Sequence, residues 1–246
     1  MNAVEKEEAM EFASKAESAA HGRLKQLAIA WAQGHRLGLW GSEVRLPRSS
    51  YRADIAAATP SVVSAGAFTA VFECKAYRSD YLRDAAPESA TAMEIAELTE
   101  RLNSLRELIG AHRPDLRRGE ELFAAFDCVD LRGLRHETHE RITQQLRVAQ
   151  NKLFNGTKFS KMQRWRSASL LYAVCEPEIL QSWELPDGWG LLVRNGDALE
   201  LKVKPLLNET TPQERIALLE RIAASSATRV GRRLGLARPE SRVSQV

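Results

Sequence analysis

Charged residues inside two strand-like segments constrain this sequence more than any other feature. Residues 68–75 (FTAVFECK) are rich in β-branched and aromatic residues, which is typical of a strand, yet they contain Glu73 and Lys75. Asp54 lies in a second such segment, residues 51–57. Because a buried charge is costly unless it is paired or bound to a metal, these segments predict a sheet that carries a polar site.

The alternation of a strand places Glu73 and Lys75 on one face and Cys74 on the other. If the two segments pair, Asp54 approaches Glu73 and the three charged groups converge. Two carboxylates can hold Mg²⁺, which keeps several waters and lowers the pKa of a bound water. A lysine beside them can orient or deprotonate that water, or stabilise the developing charge. These are the minimal parts for hydrolysis of a phosphodiester.

The elements around these segments indicate a mixed α and β protein. Apolar residues at helical spacing predict a helix over residues 13–33, and a short strand-like stretch at 43–46 precedes the two charged segments. Residues 170–175 predict a buried strand, and residues 188–203 predict a hairpin with its turn at Asn195 and Gly196. A capping box from Thr211 to Glu214 predicts a last helix over residues 213–224.

The middle of the chain has a different pattern. Apolar residues three and four apart predict two amphipathic helices that pack on each other as a hairpin. The apolar residues of the first helix are Ile95, Leu98, Leu102, Leu105 and Ile109, and those of the second are Ile142, Leu146, Ala149 and Leu153. A basic helix is expected over residues 159–169.

The order of helix, Asp-bearing strand and Glu-x-Lys strand resembles the PD-(D/E)XK nuclease superfamily. Residues 51–55 (YRADI) and 72–84 (FECKAYRSDYLRD) are similar to a bacterial branch associated with DNA repair. In that branch an Asp-aromatic pair follows the Glu-x-Lys strand, here Asp80 and Tyr81, and residues 161–174 resemble the next helix and strand. Ala53 stands where the superfamily name has proline.

The resemblance implies an α/β, restriction-endonuclease-like mixed sheet flanked by helices, with a helical hairpin insertion. Residues 13–86 and 158–206 would form the two parts of the nuclease core, and residues 87–157 the insertion. Residues 207–246 would form a C-terminal helix and a basic tail.

The family's active-site roles extend to the matching positions. The resemblance makes Asp54 and Glu73 metal ligands, with the carbonyl of Cys74 as a third, and has Lys75 act on the nucleophilic water. The cofactor would be Mg²⁺, with Mn²⁺ able to substitute.

Three further residues match accessory positions. Glu43 would be an outer metal ligand or a rim charge. Glu17 is a candidate for an additional carboxylate, and Gln163 matches a polar position on the later helix.

The expected function is Mg²⁺-dependent hydrolysis of DNA phosphodiester bonds in DNA repair, recombination or mobile-element processing. A cluster of cations is expected to contact DNA phosphates: Lys158, Lys161, Arg164 and Arg166. The alternative is a catalytically inactive nuclease fold that serves as a DNA-binding or scaffold protein. A homodimer, or a protein partner docked on the helical insertion, is compatible with either function.

Composition predicts a soluble cytoplasmic protein without a membrane span. No apolar run approaches the ~18 residues of a transmembrane helix, the first residues lack a hydrophobic signal core, and the three cysteines form no CxxC pair. Cys74 is expected to pack within the sheet rather than act as a nucleophile. The five histidines (His21, His35, His112, His136 and His139) lack zinc-like spacing, and a helix surface is expected for them.

Overall fold

A computed structural model describes residues 3–64, 66–79, 89–118, 128–129, 131, 134–154 and 168–236 of the 246-residue chain. Within these residues the chain forms four α-helices and eight strands. In chain order they are α1 (Ala3–Gly34), β1 (Leu39–Arg45), β2 (Arg52–Ala58), β3 (Thr69–Lys75), α2 (Ser89–His112), β4 (Arg117–Arg118), β5 (Cys128–Val129), α3 (Glu137–Phe154), β6 (Leu170–Cys175), β7 (Gly190–Asn195), β8 (Ala198–Val203) and α4 (Pro212–Arg233).

Six of the strands form one mixed sheet in the order β1-β2-β3-β6-β7-β8. The first three strands are antiparallel, β6 is parallel to both β3 and β7, and β8 is antiparallel to β7. The short strands β4 and β5 form a separate antiparallel pair. The chain is therefore an α/β protein with a mixed sheet flanked by helices, which confirms the predicted fold class.

A helix covers each face of this sheet. Helix α1 buries Leu24 and Ala28 in one cluster with Phe72 of β3 and Tyr172 of β6. Helix α4 buries Leu218 and other apolar residues in a second cluster on the opposite face. Strands β3 and β6 are buried along their whole length, which accounts for the continuous apolar run of β6 and makes the charged Glu73 and Lys75 of β3 exceptional.

Helices α2 and α3 pack on each other through the apolar stripes seen in the sequence. The buried residues of this cluster are Ile95, Leu98, Leu102, Ile142, Leu146 and Ala149. Polar contacts join the pair to the segment that precedes β7: Arg106 binds Asp187 through two hydrogen bonds of 2.6 and 2.9 Å. The side-chain amide of Gln150 donates to the Leu185 carbonyl (3.1 Å) and accepts from the Asp187 N–H (3.0 Å).

The helix ends differ most from the sequence-based expectations. Helix α1 begins at Ala3 rather than near residue 13, because the preceding Ala, Glu and Lys residues favour a helix without an apolar stripe. Helix α4 continues to Arg233 rather than ending near residue 224. Ser225 donates to the Ser42 carbonyl and Ser226 to the Trp40 carbonyl, so contacts with β1 support the added turns. The capping box at Thr211 is present as predicted.

The centre of the sheet has no room for a side chain at Gly190. A Cβ there would lie 2.6 Å from Cδ1 of the buried Tyr172 and 3.0 Å from Cδ of Pro205. We expect Gly190→Ala to lower the free energy of unfolding by about 1–3 kcal/mol, the usual range for overpacking a core. Gly38→Ala is the control, because a Cβ there meets nothing within 4 Å. Urea unfolding of the two variants checks this, and equal stabilities would show that the Tyr172 ring can move aside.

Candidate metal and phosphodiester site

The candidate site is built where strand β2 separates from β3. The register of these strands runs from Ala58 opposite Thr69 to Ile55 opposite Phe72. One residue further, Oδ2 of Asp54 accepts the backbone N–H of Cys74 at 2.8 Å. The carboxylate of Asp54 is thereby fixed to β3 at the point where the backbone pairing of β2 with β3 ends.

A local irregularity in β1 and β2 directs this carboxylate toward α1. Ala53 packs in the cluster beneath α4, whereas Ile55 packs in the cluster beneath α1. Residues two apart in a regular strand share a face. The backbone of β2 is therefore irregular at Asp54, because the side chains of Ala53 and Ile55 point to opposite faces. Glu43, which lies between the partners of Ala53 and Ile55 on β1, has a positive φ of 54°. The two irregular residues therefore lie side by side on neighbouring strands.

Helix α1 completes this group with two side chains one turn apart. Nε2 of His21 lies 3.1 Å from Oδ1 of Asp54, and Nζ of Lys25 lies 3.2 Å from the same oxygen. Lys25 also donates a hydrogen bond to Glu43. We call His21, Lys25, Glu43 and Asp54 the Asp54 cluster.

Electrostatics keeps the central pair of this cluster ionised. Burial alone would raise the pKa of Asp54, but the hydrogen bond and charge of His21, the Cys74 N–H and the Lys25 ammonium lower the pKa to about 2. Burial opposes the charged form of Lys25, yet the carboxylates of Glu43 and Asp54 raise its pKa. At neutral pH Asp54 is therefore an anion held beside a cation.

Glu73 and Lys75 lie on the next strand as a second pair. Nζ of Lys75 is 3.8 Å from Oε1 of Glu73, and both side chains are nearly buried. They alternate with Phe72 and Cys74, which pack beneath α1, so they point to the face of β3 that packs beneath α4. The Asp54 cluster approaches β3 from the α1 side, so the two groups flank Cys74 from opposite faces and do not converge on one face as the sequence predicts.

Cys74 lies between these two groups. Burial raises the pKa of its thiol well above the ordinary value, and the negative charges of Asp54 and Glu73 raise it further. Both carboxylates are thus close enough to act on the same thiol. A thiol held neutral in this way is a poor nucleophile, in keeping with its position in the core.

A further carboxylate near the end of β3 is committed to an ion pair. Arg78 binds the carboxylate of Glu184 through both guanidinium nitrogens, and Glu184 is completely buried. The same carboxylate accepts the backbone N–H of Gln181 at 2.8 Å. Glu184 therefore fixes the segment after β3 and is not an available metal ligand.

The other predicted site residues divide into two groups. Glu43 belongs to the Asp54 cluster. Glu17 lies in α1, but its side chain falls outside the described part of the chain. The remaining predicted residues, Gln163, Lys158, Lys161, Arg164 and Arg166, also lie outside the described residues.

Sequence reasoning missed His21 and Lys25. A helix-surface position was expected for His21, and Lys25 was not singled out, whereas both contact Asp54. The available signal was their spacing of four residues, which places them on one face of α1. That face adjoins the buried side of the helix marked by Leu24 and Ala28.

The donor chemistry fits a hard divalent cation bound by few protein ligands. Among the described residues, no group of three or more His, Cys, Asp or Glu side chains is arranged to hold a metal ion. Asp54 and Glu73 offer two carboxylates on adjacent strands, a number sufficient for Mg²⁺ when water completes its shell, although they reach β3 from opposite faces of the sheet. His21 would add a nitrogen donor, which Mn²⁺ tolerates better than Mg²⁺.

Comparison with known proteins adds the following. No protein-family model matches the chain, and no curated protein matches it. Among solved structures, the chain is similar to a protein of unknown function from Silicibacter pomeroyi, with 15% sequence identity and a TM-score of 0.48. The alignment covers 92% of this chain and 97% of that one. No helix in the described segments is long and apolar enough to cross a membrane.

The lowered pKa of Asp54 links the stability of the site to pH. Its folded-state pKa of about 2 lies below the ordinary 3.8, so its stabilising contribution is complete above pH 3.8 and is lost as pH falls toward 2. We expect Asp54→Asn to lower the free energy of unfolding by about 2 kcal/mol at pH 7. The difference from wild type should shrink between pH 5 and pH 2.

Urea unfolding across this pH range measures the effect. Asp197→Asn is the control, because its side chain is 91% exposed and an exposed ion pair contributes little. A difference between wild type and Asp54→Asn that stays constant down to pH 2 would contradict the assignment.

Proposed function

We propose that this protein is a Mg²⁺-dependent nuclease that hydrolyses DNA phosphodiester bonds, with a restriction-endonuclease-like core related to the PD-(D/E)XK superfamily. One observation carries the proposal: ionised Asp54 is fixed to the strand that bears Glu73 and Lys75. The setting would be DNA repair, recombination or mobile-element processing in the cytoplasm.

The topology around the site supports this proposal. Helix α1 is followed by three antiparallel strands, and β6 then pairs with β3 in parallel. That order matches the helix and strands on which the resemblance was based. Asp54 and Glu73 lie on the second and third strands, where the resemblance requires them.

Each residue has a role that follows from its surroundings. Asp54 and Glu73 would hold Mg²⁺, with the Cys74 carbonyl as a further ligand. The bound ion supplies a water of lowered pKa and stabilises the extra negative charge on the phosphodiester. Lys75, held 3.8 Å from Glu73, can orient the attacking water or stabilise the developing charge.

Helix α1 contributes by keeping Asp54 ionised and in place. His21 and Lys25 both contact Oδ1 of Asp54, so the carboxylate is charged across the whole physiological pH range. The carboxylate cannot rotate without breaking these contacts and the hydrogen bond from Cys74. Such preorganisation avoids a rearrangement during the reaction.

The contacts of Asp54 also favour a second candidate function. Lys25 compensates the charge of Asp54 from within the protein, and His21 contacts the same carboxylate oxygen. A protein that uses the fold for DNA binding or as a scaffold, without a metal, would need this compensation. A homodimer or a protein partner on the α2–α3 pair is compatible with both candidates.

Nuclease activity is tested by cleavage of duplex, nicked, branched and single-stranded DNA with Mg²⁺ or Mn²⁺. We expect Lys75→Ala to slow cleavage by about 10²- to 10⁴-fold, the usual contribution of a group that acts on the reacting water. Asp54→Asn and Glu73→Gln should lose activity together with metal binding. Glu200→Gln, which removes an exposed carboxylate paired with Lys202, is the control.

Calorimetry with Mg²⁺ or Mn²⁺ separates the two candidate functions. Metal binding that is lost in Glu73→Gln, in a variant that circular dichroism shows to be folded, supports the nuclease. Wild-type protein that cuts none of the substrates, or Asp54→Asn and Lys75→Ala variants that cut as fast as wild type, would refute it. DNA binding without any effect of metal would support the second candidate.

A further inference from the structure

Two arginines face each other across the β1–β2 pair next to the Asp54 cluster. The register places Arg45 of β1 directly opposite Arg52 of β2. Residues in this relation point to the same side of a sheet, with Cβ atoms about 4.5–5.5 Å apart, and like charges so placed destabilise the pair. The repulsion calls for an explanation, because a neutral residue at either position would remove it.

The arginines lie on the side of the sheet that carries the Asp54 cluster. Val44 and Ala53, the residues beside them, both pack in the cluster beneath α4. Arg45 and Arg52, one residue along each strand, therefore point to the other side, that of α1. Nη1 of Arg52 is 4.0 Å from Oε2 of Glu43, and Glu43 binds the same lysine that contacts Asp54.

The segment that joins these arginines is basic and exposed. Between Glu43 and Asp54 the sequence contains Arg45, Arg48 and Arg52 and no acidic residue. The side chains of Arg48 and Arg52 are 84% and 63% exposed. In the described part of the chain, the exposed Arg45 makes no hydrogen bond or ion pair. Within those described residues, the charge of Arg45 is therefore uncompensated.

An anion that binds between the two guanidinium groups would relieve their repulsion. A phosphate oxygen pair matches the planar donor fork of arginine, and contacts with a nucleic-acid backbone do not depend on base sequence. A chain of successive phosphates can reach both the arginine pair and the carboxylates beside it. The location therefore favours a nucleic acid over a small free anion.

We propose that Arg45 and Arg52, with Arg48 at the tip of the β1–β2 hairpin, bind the phosphate backbone of DNA and position it beside the Asp54 cluster. The proposal rests on the proposed function in naming DNA as the ligand, but it concerns binding rather than cleavage. Asp54→Asn protein in EDTA can therefore test it without any reaction.

The experiment measures the affinity of fluorescently labelled duplex DNA by anisotropy over a range of salt concentrations. Two phosphate contacts contribute a slope of about −0.9 each to the dependence of log affinity on log salt. We expect the double variant Arg45→Gln/Arg52→Gln to lose about two such contacts, so its slope should be shallower by about 1.8. Arg101→Gln/Arg147→Gln removes the same charge from exposed positions on α2 and α3 and should leave the slope unchanged.

Thermal unfolding without DNA gives a readout that a purely structural role would not produce. Removing one arginine relieves the cross-strand repulsion, so Arg45→Gln should unfold at a higher temperature than wild type while it binds DNA more weakly. An arginine that served the fold would give the opposite shift in the unfolding temperature.

Several outcomes would overturn the proposal. They are an absence of DNA binding at low salt, equal losses in the two double variants, and arginine-dependent binding to phosphatidylserine vesicles in place of DNA. Binding that depends on Arg45 and Arg52, together with wild-type protein that cuts no substrate, would refute the nuclease but support the phosphate-binding hairpin.

Discussion

The hydrogen bond from the Cys74 backbone to Asp54 is the contact on which the rest of the site depends. It replaces strand pairing with a side-chain contact at the point where β2 leaves β3. Because the acceptor is a carboxylate, the break in the ladder carries a negative charge into a nearly buried position. Lys25 compensates that charge and His21 contacts the same oxygen, so the end of the β2–β3 pairing fixes which face of α1 lies against the sheet.

The spacing of apolar residues and the turn and capping residues predict those elements whose structure depends on neighbouring residues in the sequence. The strands that bear Asp54 and Glu73, the final hairpin and the capping box at Thr211 all follow from residue period and turn chemistry. The contacts of His21 and Lys25 could not be predicted, since they depend on how α1 is rotated over the sheet. The pairing of Arg45 with Arg52 was equally inaccessible, because a one-residue change of register would put the two on opposite faces.

The two charged pairs differ in what they give the protein. Glu73 and Lys75 are nearly buried, so salt only weakly screens the electrostatic interaction between them across 3.8 Å. The arginines of the β1–β2 hairpin are open to water and salt. The inner pair therefore has a fixed geometry, whereas the outer pair is free to adjust to whatever it contacts.

The position of β6 has a consequence for biosynthesis. This strand pairs with β3, but residues 76–169 must be made between the two. At ribosomal speeds of about 5–20 residues per second, β3 waits about 5–20 seconds for its partner. During that time a strand that is buried in the finished fold offers an unsatisfied edge to any neighbouring chain, unless the nascent α2–α3 pair or a chaperone shields it. Aggregation during synthesis is therefore a risk that follows from the order of the strands along the chain.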